Sequence, residues 1–384
     1  MSTFITGATG YLGSYALHTL LQETTEDLQL LVRAKDDNEA REKLWRALQL
    51  HMTPEEFWGA QYRLRYVYGD LHADGLGLSK KDHRRILDTT DSVLHIAASL
   101  NRKSSKACFN TNLRGTLSVI VLVRALADRG GFRRFSHVST NAIAGERKDE
   151  LVLEDEARDF DRSDYDPYAR TKKFAEHMVD TLLPDVPHLC LRPGIVLGDS
   201  RFPETTQFDM VRAFVALVDL PVLPLSEHGR LDIVNADFVG PAIARLHTKE
   251  TLAHDIYHLT SGAASETAGQ IARKVAKALD RRPPRFVSRL ESPVGRLFDM
   301  AATRRKRDAI QQVGTLMKVF WPYITFNTIF DNTRVVSELK QAPARFSDYG
   351  APLYRFAKEG KFTYDYKPLP ERKPMIPVGI EVHA

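Results

Sequence analysis

Short apolar runs alternate with stretches of helical periodicity through the first two hundred residues. Phe4-Ile5 runs into a glycine turn, and residues 12–21 carry helical spacing. Residues 28–32 read as a buried strand, 66–68 as a short one and 92–96 as a third. Helical periodicity returns over 112–127, followed by a strand over 134–138. A helix over 168–183 starts after Pro167, and the strand 188–192 stops at Pro193-Gly194. Strands alternating with helices predict a parallel sheet covered on both faces. With right-handed crossovers this is an α/β doubly wound, Rossmann-type sheet.

The texture changes near residue 283. Arginines gather at Arg281, Arg282, Arg285 and Arg289, and again at Arg304, Arg305, Lys306 and Arg307, and an aromatic run follows at Phe320-Trp321-Pro322-Tyr323. The expected division is a dinucleotide-binding domain over 1–275, with substrate-lobe insertions after 195, and a smaller, mainly helical substrate-binding region over 276–384. The proline-containing tail from Pro368 is expected on the surface.

Composition narrows the class. Of 384 residues, 43% are hydrophobic and 27% charged, the balance of a folded enzyme and not of a disordered chain. A net charge of +5 is too mild to argue for nucleic acid. The two cysteines, Cys108 and Cys190, lack metal-ligand spacing, so neither a disulfide framework nor a metal site is expected. The most apolar stretch, 214–225, is interrupted by Asp219, Pro221 and Pro224, too short and broken to span a bilayer. No signal peptide is visible ahead of the glycine turn, and a cytoplasmic location is the expectation.

The turn itself is Thr6-Gly7-Ala8-Thr9-Gly10-Tyr11-Leu12-Gly13, between a strand and a helix. Its glycines serve a tight turn, close approach of backbone to a pyrophosphate, and close helix–strand packing. The helix start offers unpaired N–H groups to phosphate. At the end of the second strand an acid would suit NAD, whereas a base can pair with the 2′-phosphate of NADP. The chain has Arg33 there, with Lys35 as a second candidate, so NADP(H) is the expected cofactor.

Tyr168 and Lys172 stand four apart and share one helix face. A phenol is a poor acid–base group unless a cation stabilises its phenolate, and Lys172 supplies one. At the end of the preceding strand, Thr140 or alternatively Ser139 offers a hydroxyl to orient a carbonyl. His95 and His137, on strands, are expected to be packed structural imidazoles. Tyr165 has no lysine at the needed spacing.

TGATGYLG, YARTK and Thr140 resemble extended short-chain dehydrogenases/reductases. Over about 4–200 the likeness sharpens, through Leu31-Val32-Arg33-Ala34, Tyr68-Gly69-Asp70-Leu71, His95-Ile96-Ala97-Ala98, Asn112-Leu113-Arg114-Gly115-Thr116 and His137-Val138-Ser139-Thr140. That series resembles the thioester reductase branch, with fatty acyl-CoA reductases and the terminal reductase domains of carboxylic acid reductases and peptide synthetases. The resemblance implies that Asp70 and Leu71 flank the adenine, Ala97 and Ala98 line the cofactor backbone, and Asn112 braces the active-site helix. It further implies that Pro193, Gly194, Ile195 and Val196 cover the nicotinamide. Leu94-His95-Ile96 departs from the branch, which has an asparagine before the paired alanines. The likeness fades after about residue 265.

The implied reaction is NADPH-dependent reduction of an acyl group carried on coenzyme A or an acyl carrier protein. Tyr168 protonates the carbonyl oxygen, and the product is an aldehyde or, after a second reduction, an alcohol. The arginines at 281, 282, 285, 304, 305 and 307 are candidates for gripping the donor's phosphates, against the plainer reading of a solvated face. A homodimer through the helices 112–127 and 168–183 is the implied assembly. The alternatives are a ketoreductase, epimerase or hydroxysteroid-type dehydrogenase using the same triad, and a non-catalytic NADP sensor. The second is disfavoured because Tyr168 and Lys172 are both present.

Overall fold

The computed structural model describes residues 2–303 and 309–372. Seven strands form one sheet: β1 (Ser2–Thr6), β2 (Asp27–Val32), β3 (Leu64–Tyr68), β4 (Ser92–His95), β5 (Arg134–Val138), β6 (His188–Pro193) and β7 (Ile256–Leu259). Their spatial order is β7-β6-β5-β4-β1-β2-β3, and every neighbouring pair is parallel. The order reverses between β1 and β4, so a crevice opens at their carboxyl ends, where such sheets bind ligands.

Alternation along β1 sends Ile5 into one apolar layer and Phe4 into the other. Helices α1 (Tyr11–Glu23) and α2 (Asp37–Leu48) cover the first face. The second carries α3 (Gly115–Ala127) and α4 (Pro167–Leu182). Asp166 caps α4 by accepting a hydrogen bond from the Ala169 amide at 2.8 Å, and Pro167 occupies its first turn.

After β6 the chain builds a lobe over the carboxyl end of the sheet. It begins with α5 (Asp209–Val218) and returns to the first face in α6 (Ala236–Thr248). A Cβ on Gly240 would sit 2.1 Å from the Tyr15 Cβ, so glycine is what lets α6 lie against α1. The lobe then takes α7 (Ala309–Thr325) and α8 (Phe346–Glu359), which pack with α5 through Ala213, Met317 and Phe320 on one side and Val211, Phe346 and Leu353 on the other. This lobe thus draws on both sides of residue 275. The final described segment does not stay with it. Trp45 and Trp58 donate their indole N–H groups to the carbonyls of Pro368 (2.8 Å) and Pro370 (3.1 Å), pinning the tail to the dinucleotide-binding half.

Candidate active site

The glycine turn has the conformation its sequence requires. Gly7 adopts φ +83°, and a Cβ there would meet the Ala97 amide nitrogen at 2.5 Å. A Cβ on Gly13 would fall 1.9 Å from the Gly7 carbonyl oxygen. Helix α1 has no side-chain cap and no acid in its first turn. Its leading amides therefore face the crevice without a protein carboxylate, a donor set suited to a pyrophosphate.

A cleft of about 610 Å³ runs from this turn across the carboxyl ends of the strands. Gly7, Thr9, Gly10, Tyr11, Leu12 and Gly13 line one end, beside Arg33, Asp70 and Leu71. Ala97, Ala98 and Ser139 lie along the middle, and Pro193, Gly194, Ile195 and Val196 line the cleft together with Thr140, Tyr168 and Lys172. Arg33 is exposed at the rim, while the acids after it are occupied. Asp36 caps α2 by accepting the Glu39 amide, and Asp37 is bonded to Arg41 and Tyr68. Lys35 does not line the cleft; its amide donates to Glu39. Asn112 also lies outside, buried, accepting from the Ser99 amide (2.7 Å) and donating to Thr171 Oγ1 on α4 (3.2 Å).

Tyr168 and Lys172 are both almost wholly enclosed. Burial pushes the phenol upward from its ordinary range, while the Arg102 guanidinium and a hydrogen bond with Thr140 pull it back. Burial lowers the Lys172 ammonium to about 8, partly opposed by Glu176. Lys172 Nζ donates to the Val138 carbonyl at 2.6 Å. The Ser139 hydroxyl is buried with no hydrogen-bond partner among the described residues.

The two strand histidines are enclosed and neutral. His95 is held between Thr6 (2.6 Å) and Thr116 (3.0 Å), and burial lowers it to about 3. His137 is lowered well below the imidazole range by the same cause. Tyr165 stacks on Tyr323 with ring centroids 4.6 Å apart.

Some cleft residues carry no sequence signal of their own. Arg102, from the loop after β4, places its guanidinium carbon 4.6 Å from the Tyr168 ring centroid and 5.1 Å from that of Tyr323. Phe320 and Tyr323 reach the same spot from α7, and only the aromatic run at 320–323 hints at them. Of the arginines considered for donor phosphates, Arg281 is bound by Asp219 and Tyr354, and Arg282 and Arg285 are exposed away from the cleft lining. Arg304, Arg305 and Arg307 lie outside the described residues.

A doubly wound sheet with an anion-binding glycine turn and a tyrosine–lysine pair on one cleft defines a nicotinamide-dependent oxidoreductase of the extended short-chain dehydrogenase/reductase class. Within it, the chain belongs to the family described as Male sterility protein, whose model matches residues 5–243. It is 27% identical over 255 residues to the nonribosomal peptide synthetase asaC of Aspergillus flavus, covering 63% of this chain and 24% of that protein. It is 26% identical over 237 residues to the fatty acyl-CoA reductase wat of Drosophila melanogaster, covering 54% of this chain and 45% of that one. The chain thus spans less than half the length of these curated relatives. The terminal R domain from the myxalamid PKS-NRPS biosynthetic pathway shares its fold, with a TM-score of 0.77 at 22% identity over 94% of this chain and 91% of that domain. No described helix is long and apolar enough to cross a membrane.

Proposed function

We propose that this chain reduces an acyl thioester, delivered on coenzyme A or a carrier protein, with NADPH. The observation that supports this best is the meeting of Thr140, Tyr168 and Lys172 with the phosphate turn along one cleft. The leading amides of α1 would hold the pyrophosphate, Arg33 the 2′-phosphate, Lys172 the nicotinamide ribose, and Pro193–Val196 the nicotinamide. When bound, NADPH supplies the hydride that the carbonyl carbon accepts. Thr140 and Tyr168 hold the carbonyl oxygen, and the Tyr168 O–H bond breaks as the substrate's O–H bond forms. The carbon–sulfur bond then breaks as the hydroxyl proton passes to sulfur, releasing aldehyde and thiol, and the phenolate takes a proton from solvent. Thioester, NADPH and one proton thus give aldehyde, thiol and NADP⁺. These hydroxyls act where charge develops on oxygen, so they serve turnover more than binding. A second cycle on the aldehyde would give the alcohol. Two copies would pair through α3 and α4, whose Leu117, Val121 and Phe174 are exposed.

The test is NADPH oxidation across acyl-CoA chain lengths and an acyl carrier protein, with products identified by mass. Aldehyde or alcohol from a thioester is expected. Turnover of a free ketone or a sugar nucleotide, with none of any thioester, would overturn the reading in favour of a ketoreductase or epimerase.

A further inference from the structure

We infer that Arg102 is a positioning residue for the proton donor: its guanidinium, set against the ring face of Tyr168 by Asp166 and Tyr323, stabilises the phenolate left when the proton departs. This rests on the reading of Tyr168 as donor. The lysine of the helical pair is tied to the end of β5. Its ammonium is engaged in part by the Val138 carbonyl at 2.6 Å. Arg102 approaches from the opposite element, the loop after β4, with its guanidinium carbon 4.6 Å from the ring centroid. A phenolate delocalises charge into that ring, so a cation over its face stabilises the anion more than the neutral phenol.

The arginine is held in place by residues of both lobes. Its Nε lies 3.2 Å from Asp166 Oδ2, and Tyr323 donates to that same oxygen at 3.1 Å. Phe320 flanks the guanidinium at 5.7 Å. Asp166 is therefore shared among a cation, a phenol and the Ala169 amide of α4, and it leaves part of the Arg102 charge for Tyr168. The charged and titratable groups acting on the Tyr168 phenol are Arg102, Asp166, Cys108 and Tyr323, beside the Thr140 hydroxyl. Of these, Arg102 and Thr140 favour the phenolate, while Asp166 and Cys108 oppose it.

The experiment uses the full chain. Tyr168 ionisation is read as the near-ultraviolet phenolate absorbance that Tyr168→Phe removes, and beside it the pH at which thioester reduction declines on the alkaline side. Reduction needs the protonated phenol, so that decline follows the Tyr168 midpoint. Arg102→Gln should move both midpoints upward by about 1–3 units, the effect of losing a cation at this range. It should also cut turnover without weakening NADPH binding, and Arg102→Lys should restore part of the shift. Asp166→Asn, which keeps a capping side chain, should move the midpoints downward, and it decides the matter if Arg102→Gln does not fold. Unmoved midpoints in a folded Arg102→Gln, or an upward move in Asp166→Asn, would overturn the role of Arg102. Near-normal turnover in Tyr168→Phe would instead overturn the assignment of the proton donor.

Discussion

Lys172 Nζ lies 2.6 Å from the carbonyl oxygen of Val138, the last residue of β5. The contact ties the middle of α4 to the strand end that carries Ser139 and Thr140. It also keeps an ammonium in a site where burial lowers it from 10.5 to about 8. That lowering has a stability sign. Between about 8 and 10.5 the unfolded chain binds a proton that the folded one has released, so folding is penalised fully below about 8 and released from the penalty as pH rises. Lys172→Met should therefore be at least as stable as the parent at pH 7, with an advantage that shrinks towards pH 10.5. The lost hydrogen bond to Val138 offsets part of the gain by roughly 1–3 kcal/mol. Turnover should fall by about 10² or more, the usual scale for acid–base machinery. Denaturant midpoints at several pH values check this, and a variant clearly less stable at pH 7 would show that the charge is well compensated.

Arg33 is exposed at the cleft rim while Asp36 and Asp37 beside it are engaged elsewhere. Arg33→Asp removes one charge-assisted contact and introduces repulsion. NADPH binding should weaken by roughly 1.5–3 kcal/mol or more, with NADH little changed. Isothermal titration with both cofactors measures the difference. Equal losses for the two would remove Arg33 from cofactor choice, and Lys35, off the cleft, would not replace it.

What the sequence makes legible is what is local in sequence. The glycine turn is eight consecutive residues between a strand and a helix, and Tyr168 and Lys172 share a helix face by spacing alone. Arg102 and Tyr323 are different: each reaches Tyr168 only because a loop and a distant helix converge, and neither carries a pattern saying so. Residues 236–248 carry no legible helix because Gly240-Pro241 signals a break. In the fold, Gly240 admits the body of Tyr15, and the packing of α6 on α1 outweighs the hydrogen bond that Pro241 lacks. The tail from Pro368 is expected on the surface; its described residues, 368–372, do lie there, but two indoles hold them, and Gln49 holds Lys367 just before.

That tail predicts a measurable stability loss. Two indole N–H bonds, the Lys367 amide bond to Gln49 at 2.8 Å and partial burial of Leu369 all vanish if the chain stops after Phe362. Each hydrogen bond contributes roughly 0.5–1.5 kcal/mol and the leucine up to about 2, so a loss of roughly 2–6 kcal/mol is expected. Trp58→Phe alone should cost about 1 kcal/mol. An unchanged urea midpoint on truncation would mean that the segment adds nothing to the fold.

Asp232 is the buried carboxyl beside the segment proposed to cover the nicotinamide. Its Oδ1 accepts the Ser261 amide at 2.7 Å, and its Oδ2 has no partner among the described residues. Burial raises it from 3.8 to about 7, with the backbone bonds from Ser261 and Phe330 opposing. Between those values the folded chain keeps a proton that the unfolded chain has lost, so stability declines as pH rises through this window, and the penalty is complete above about 7. A shift of about three units corresponds to roughly 4 kcal/mol at most. Asn keeps an acceptor for Ser261 and cannot ionise. Asp232→Asn should therefore match the parent near pH 4 and exceed it by roughly 2–4 kcal/mol at pH 8. Urea denaturation at the two pH values measures the difference. A variant weaker at pH 8 would mean that the ionised carboxylate is stabilised by a partner, most simply a cation drawn to the lobe, and the site would then be polar where the fold makes it apolar.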